Sequence, residues 1–87
     1  MYYVYVLASL KTKWLYVGYT SDLRKRFRQH NAGKSNYTRK YLPWRLVYYE
    51  AYASKLDAME REKSLKRHAK GLSLLKKRIT RSLKGEG

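Results

Sequence analysis

Apolar and aromatic residues open the chain in two short runs, Tyr2 to Ala8 and Trp14 to Tyr19, with polar Lys11-Thr12-Lys13 between them. Tyrosine and valine suit a pleated, half-buried surface, so the two runs predict strands joined as a hairpin. A change of period follows. From Asp22 to Asn31 the apolar positions Leu23 and Phe27 recur at helical spacing, and at 100° per residue Arg26 and His30 fall in the same stripe, about 100° wide. Arg24, Lys25 and Arg28 fall outside it. Thr20, Ser21 and Asp22 are able to cap the first turn, and Gly33 supplies the left-handed position that commonly ends a helix. A helix packed through Leu23 and Phe27 therefore holds one arginine and one histidine at the edge of its buried face.

Lys34 to Pro43 is polar and basic, and Leu42-Pro43 closes it, because proline drives its predecessor out of helical geometry. That stretch reads as a loop. Arg45 to Tyr52 is dense in apolar residues and predicts a third strand. Ser54, with Asp57 three residues on, has the spacing of a capping box and opens a second helix. On its wheel Ala58, Glu62, Leu65, Ala69 and Leu72 share one face, while Glu60 points nearly the opposite way. Gly71 is the expected break. Leu72, Leu75, Ile79 and Leu83 then mark a third, amphipathic helix over about 72–83. The order β-β-α-β-α-α predicts a small α+β sandwich, a three-stranded sheet covered by helices, as one domain over 1–84 with 85–87 frayed.

Composition narrows the partners. Twenty-one Lys and Arg stand against six Asp and Glu, a formal charge of +15. Such a field suits a polyanion, because every phosphate neutralised releases condensed counterions. Nucleic acid is the simplest partner; an anionic membrane surface or a ribosome-like assembly would also answer to charge alone. The absence of cysteine rules out a disulfide, a thiolate metal site and a catalytic thiol. The apolar start is about ten residues long with no basic region before it, so neither a signal peptide nor a spanning helix is expected. The expected setting is cytoplasmic, with no membrane association.

Glu62 is the carboxylate that the pattern makes conspicuous. On a core-facing stripe it must find a cation, hydrogen-bond donors or a rim of solvent. Arg26 is one available partner. A divalent metal is the other, since Mg²⁺ keeps most of its waters and takes only one or two carboxylates beside phosphate oxygens. Arg26 and His30 have bland readings too, as a solvated charge and as a histidine meeting the helix dipole. The remaining tyrosines and Trp44 lie among Lys34, Arg39, Lys40 and Arg45, a mixture that can stack on unpaired bases while tracking a backbone, or else divide into a solvated loop and core aromatics. His68 has no partner spacing and reads as surface.

Tyr3-Val4-Tyr5, Tyr16-Val17-Gly18, Arg26, His30 and Glu62, in that order, resemble the GIY-YIG nuclease family, over residues 2 to about 70. Small stand-alone bacterial members are the nearest in size. The first motif departs from the pattern, with Tyr3 for glycine and Val4 for isoleucine, while Tyr5 keeps the tyrosine. The resemblance implies a metal-dependent DNA endonuclease that hydrolyses phosphodiesters, structure-selective or acting in DNA repair and recombination. It implies that Glu62 holds a single Mg²⁺ or Mn²⁺ ion, that Arg26 contacts the scissile phosphate, and that Tyr5 and Tyr16 orient or deprotonate the attacking water with help from His30. Which tyrosine is the base is open. Gly18 would leave backbone close to the phosphate, or be a plain strand glycine. Both tyrosines must then project from one face of the sheet, a register that the sequence leaves open.

Arg24, Lys25, Arg28, Lys34, Arg39, Lys40 and Arg45 complete the expected nucleic-acid contacts. DNA is the expected partner, with RNA and a protein partner as further ones. The alternative is a catalytically silent DNA- or RNA-binding module on the same fold. A third class, a basic ribosome-associated protein, explains the charge but not the five-residue set.

Overall fold

In the computed structural model, which describes residues 1–85, three antiparallel strands lie in the order β2-β1-β3. They are β1 (Tyr2–Ser9), β2 (Leu15–Thr20) and β3 (Trp44–Tyr52), with helix α1 (Leu23–Asn31) between β2 and β3. Helices α2 (Lys55–Arg67), α3 (Ala69–Arg78) and the short α4 (Thr80–Lys84) follow β3. The α+β class and the hairpin match expectation. Residues 86 and 87, within the stretch expected to fray, lie outside the described residues.

Period-2 alternation in β1 divides the core in two. Val4 and Val6 face α2, α3 and α4, and with Val17, Ala58, Leu65, Leu75 and Ile79 they form the larger buried cluster. Tyr5 and Leu7 face the other way, toward α1, with Trp44 and the partly buried Leu23 and Phe27. A bulge opposite Val6 and Leu7 shifts the register of β3, so Val47 and Tyr48 both reach the three-helix side while Leu46 stays on the α1 side.

The ends of α1 follow the sequence closely. Asp22 Oδ1 accepts from the Lys25 N–H at 3.0 Å, and Thr20 Oγ1 accepts from the Asp22 N–H. Gly33 adopts φ +76°, and the N–H groups of Gly33 and Lys34 return to the carbonyls of His30 and Gln29. Ser54 caps α2 through the Asp57 N–H.

The expected break at Gly71 is corrected. The chain leaves helical geometry at His68, with φ −108° and ψ 99°, and Gly71 lies inside α3. Unbroken from 55 to 83, the helix would run about 43 Å, beyond the 32 Å longest extent of the molecule. The turn at His68 lets Leu72 and Leu75 return to the sheet. It also resets the helical phase, so Ala69 is exposed instead of sharing the buried face of α2. A second interruption at Ile79 divides the expected third helix into α3 and α4. The expected loop contains a single 3₁₀ turn at Arg39–Tyr41.

A polar clamp fixes α2 to the sheet. Glu50 on β3 accepts from the hydroxyls of Tyr48 and Tyr52 and from two nitrogens of Arg61, at 2.9 Å each. Burial would raise the Glu50 pKa, but Arg61 and the two hydroxyls outweigh it and hold the carboxyl below its ordinary value. Arg61 neighbours Glu62 in sequence, so this clamp also sets the azimuth from which Glu62 leaves the helix.

A Cβ on Gly71 would meet nothing nearer than the Ser64 carbonyl at 3.9 Å. Gly71→Ala is therefore expected to be neutral or to stabilise by up to about 1 kcal/mol, read by urea denaturation, because alanine restricts only the unfolded chain. A loss of stability would mean that residue 71 is the break after all.

Candidate active site

The hairpin register places Tyr5 directly opposite Gly18, and Tyr16 opposite Leu7. Residues 5 and 7 share a face, so the two tyrosines project together, with ring centroids 6.3 Å apart. The ring of Tyr5 lies across Gly18. A Cβ there would overlap the Tyr5 hydroxyl and come within 2.6 Å of Cζ. The missing side chain at position 18 thus makes room for Tyr5, a role that neither reading of the sequence contained.

Tyr5 and His30 are fully buried and joined through Tyr5 Oη and His30 Nε2 at 2.8 Å. His30 Nδ1 meets Thr38 Oγ1 at 2.8 Å, and Thr38 is buried as well. Burial and then the nearby Arg26 charge lower the His30 pKa to about 4. The ring is therefore neutral at pH 7, with one nitrogen donating and the other accepting. Tyr5 donates to Nε2 while Nδ1–H donates to Thr38, or both bonds run the other way. The Tyr5 phenol is pushed up to about 12 by burial and by Tyr16, against the opposing pull of Arg26. It is a neutral hydroxyl held in a row with His30 and Thr38.

Thr38 is a site residue that sequence reasoning missed. The expected loop is pinned beneath it: Trp44 Nε1 donates to the Thr38 carbonyl at 2.8 Å, and the Asn31 side chain bonds both the N–H and the carbonyl of Trp44. Trp44 is buried, so of its two readings the core aromatic is the one that applies. A polar loop signals no buried threonine, so nothing in the local pattern could have identified Thr38.

Arg26 is half-buried beside Tyr5, with Nη1 donating to Gln29 Oε1 at 3.3 Å. Glu62 comes from the opposite layer and reaches the β2 edge of the sheet. Its partner is Lys66, at 3.3 Å, and not Arg26. Lys66 Nζ also stands 5.5 Å from the centre of the half-exposed Tyr16 ring, so it links the carboxylate to the tyrosine pair. The wheel identified the stripe of Glu62 but not Lys66, which an i,i+4 search for a cation would have found. Glu60 is exposed, as expected.

The basic residues differ in their freedom. Arg24, Lys25, Arg28, Lys34, Arg39 and Lys40 are exposed. Arg45 is committed elsewhere: its guanidinium donates to the carbonyls of Ser82 at 2.8 Å and Leu83 at 2.6 Å. It ties the C-terminal turn of α4 to β3, a structural use that sets it apart from the expected nucleic-acid contacts.

The family model described as the GIY-YIG catalytic domain matches residues 1–81. Similar chains include UPF0213 proteins of Streptococcus pyogenes serotypes M3 and M1, each 49% identical over 83 residues, which is 94% of this chain and 78% of the relative. Among solved structures, the solution NMR structure of the UPF0213 protein BH0048 from Bacillus halodurans is 36% identical, with a TM-score of 0.55 over 91% of this chain and 87% of that one. Among the described residues, no helix is long and apolar enough to cross a membrane.

The neutral His30 carries a pH dependence. Its folded pKa of about 4 lies below the unfolded value of 6.5, so the unfolded chain binds the extra proton between them. The His30 contribution to stability is complete above pH 6.5 and is lost as pH falls toward 4, at a slope of up to about 1.4 kcal/mol per pH unit. Denaturant unfolding from pH 7 to 4 reads the slope. A flat profile over that window would mean that His30 is solvated.

Proposed function

This chain belongs to the GIY-YIG nuclease family, and from that premise we propose that it is a metal-dependent DNA endonuclease that hydrolyses phosphodiesters. The observation that carries the reading is the meeting of two layers: Tyr5, Tyr16, Arg26 and His30 gather on the α1 face, while Glu62 arrives from α2 at the β2 edge.

The donor set suits a hard, hydrated cation. Among the described residues no group of three His, Cys, Asp or Glu side chains comes together to cage a metal. Glu62, with a side chain 20% exposed, offers one carboxylate open to solvent. Mg²⁺ or Mn²⁺ fits such a site, because either is content with one protein oxygen, several waters and phosphate oxygens. When bound, the ion supplies positive charge that polarises the phosphate and stabilises the leaving oxygen.

The chain's own residues divide the remaining work. Arg26 grips the scissile phosphate, its planar fork matching the oxygens on which charge accumulates. Tyr16, half-exposed beside Lys66, orients the attacking water. Tyr5 is the less suitable base, since its phenol is pushed up to about 12 and its oxygen is engaged with His30. It stands behind Tyr16 and keeps the floor of the site dry and fixed. Water attack forms a new phosphorus–oxygen bond as the bond to the 3′ oxygen breaks; one water proton ends on the 3′-hydroxyl and the other passes from the 5′-phosphate to solvent. One observation favours the silent-binder alternative: Lys66 already neutralises Glu62.

Glu62→Gln tests the choice. It removes the charge at nearly constant size, so Mg²⁺- or Mn²⁺-dependent nicking of linear, flapped and branched DNA is expected to disappear while DNA binding persists. Because the Glu62–Lys66 pair is partly exposed, stability is expected to change by less than about 1 kcal/mol. Glu60→Gln is expected to leave both unchanged. Wild-type protein that binds these substrates with metal present but cuts none of them would favour the silent binder.

Arg24, Lys25 and Arg28 form an exposed face of α1 suited to phosphate contact. Replacing all three is expected to weaken binding of every DNA sequence alike and to reduce the salt slope by up to about three units. Unaltered salt dependence would exclude this face from the footprint.

A further inference from the structure

Beside Tyr16 lies an aromatic hollow that the catalytic reading leaves unused. Trp14, just before the hairpin's second strand, stacks on Tyr41 with ring centroids 5.5 Å apart and planes 17° from parallel. Tyr41 is backed edge-on by buried Trp44 at 6.4 Å. The pair is held in place by the backbone around it. Ser9 Oγ donates to the Tyr41 carbonyl at 2.7 Å and accepts from the N–H groups of Lys11 and Thr12, while the Leu10 N–H bonds the Pro43 carbonyl at 2.8 Å. Trp14 is nevertheless 56% exposed and Tyr37 65% exposed. Trp14, Asn36, Tyr37, Lys40 and Tyr41 enclose an open hollow of about 380 Å³, within the size range of small-molecule sites.

Tyr37 is the wall between this hollow and the catalytic groove. Its ring lies 5.8 Å from that of Tyr16, and it also borders a second hollow with Tyr16 and Lys66. We propose that Trp14, Tyr37 and Tyr41 form a stacking platform for an unpaired DNA base, whose strand continues past Tyr37 to place a neighbouring phosphate at Tyr16 and Arg26. The inference rests on the nuclease reading and deepens it by naming the substrate class: DNA with unstacked bases, as at a flap or branch, in preference to continuous duplex. Exposed aromatic faces take any base because every base has a π-face, whereas in a duplex those faces are already covered. Lys40 supplies the charge for a flanking phosphate, and the Asn36 amide is able to bond a base edge.

The test is binding by the full chain in chelator, so that it does not depend on cleavage. Three oligonucleotides of equal phosphate number are compared: a single strand, the same strand with abasic spacers in place of bases, and a duplex. The single strand is expected to quench the exposed Trp14 and to bind at least about five-fold more tightly than the abasic strand. Trp14→Ala is expected to abolish that difference, and Trp14→Phe to retain most of it. Melting curves of both variants check folding, which an exposed ring leaves intact. Equal affinity for the base-bearing and abasic strands overturns the platform, as does a Trp14→Ala protein that folds and keeps the full difference. Nicking without base dependence sinks the platform alone, base dependence without nicking sinks the endonuclease alone, and no binding to any oligonucleotide sinks both.

Discussion

The burial of Tyr5 over Gly18 is the constraint on which the site depends. A phenol can lie flat across a neighbouring strand only where that strand has no side chain, and position 18 meets the condition at the residue paired with Tyr5. Once there, the hydroxyl has no water to bond and needs a partner, since an unpaired buried polar group costs about 1–3 kcal/mol. His30 supplies one nitrogen to Tyr5 and the other to Thr38, so two buried hydroxyls are satisfied by one ring. Among the described residues no buried side-chain nitrogen or oxygen lacks a partner. The polar row is thus complete, which is the condition for a buried network to rigidify its surroundings.

The sheet separates two tasks. The three-helix side holds most of the aliphatic core and carries the polar clamp of Glu50 and Arg61. The α1 side buries fewer aliphatics and spends its interior on Tyr5, His30, Thr38 and Trp44. Glu62 and Lys66 belong to a helix of the first side yet act at the edge of the second, which is possible because β2 is an edge strand. The larger aliphatic core and the candidate site are therefore carried by different layers and meet along one strand. Surrounding both is an excess of positive charge, which speeds encounter with a polyanion but places no bond.

Much of this was legible in the sequence because it is local. The hairpin, the caps at Asp22 and Ser54, the left-handed Gly33 and the stripe containing Arg26 and His30 all follow from periods and short-range hydrogen bonds. What was not legible depends on contacts far apart in the chain. The helix breaks at His68 and not at Gly71, and the turn there brings Leu72 and Leu75 onto the sheet, a long-range contact that local spacing does not show. Arg45 leaves the basic footprint because α4, nearly forty residues later, ends beside it. Thr38 and Trp44 sit in or next to a stretch that reads as solvated, and only the fold brings them under His30. Glu62 was recognised as a carboxylate in need of a cation, and the choice of Lys66 over Arg26 is decided by helix geometry.

The site depends on Tyr5 closing over Gly18 and sealing His30 from water, and the ring nitrogens of His30 report that directly. Long-range ¹H–¹⁵N NMR of wild type and Gly18→Ala, followed from pH 8 to 4, is the decisive measurement. In wild type the ring is expected to hold one neutral tautomer and to titrate near the value of about 4 that burial imposes. In Gly18→Ala the displaced phenol opens the site, and the His30 pKa is expected to rise toward 6.5. A wild-type His30 that titrates near 6.5, or an unchanged pKa in a folded Gly18→Ala protein, would contradict the account.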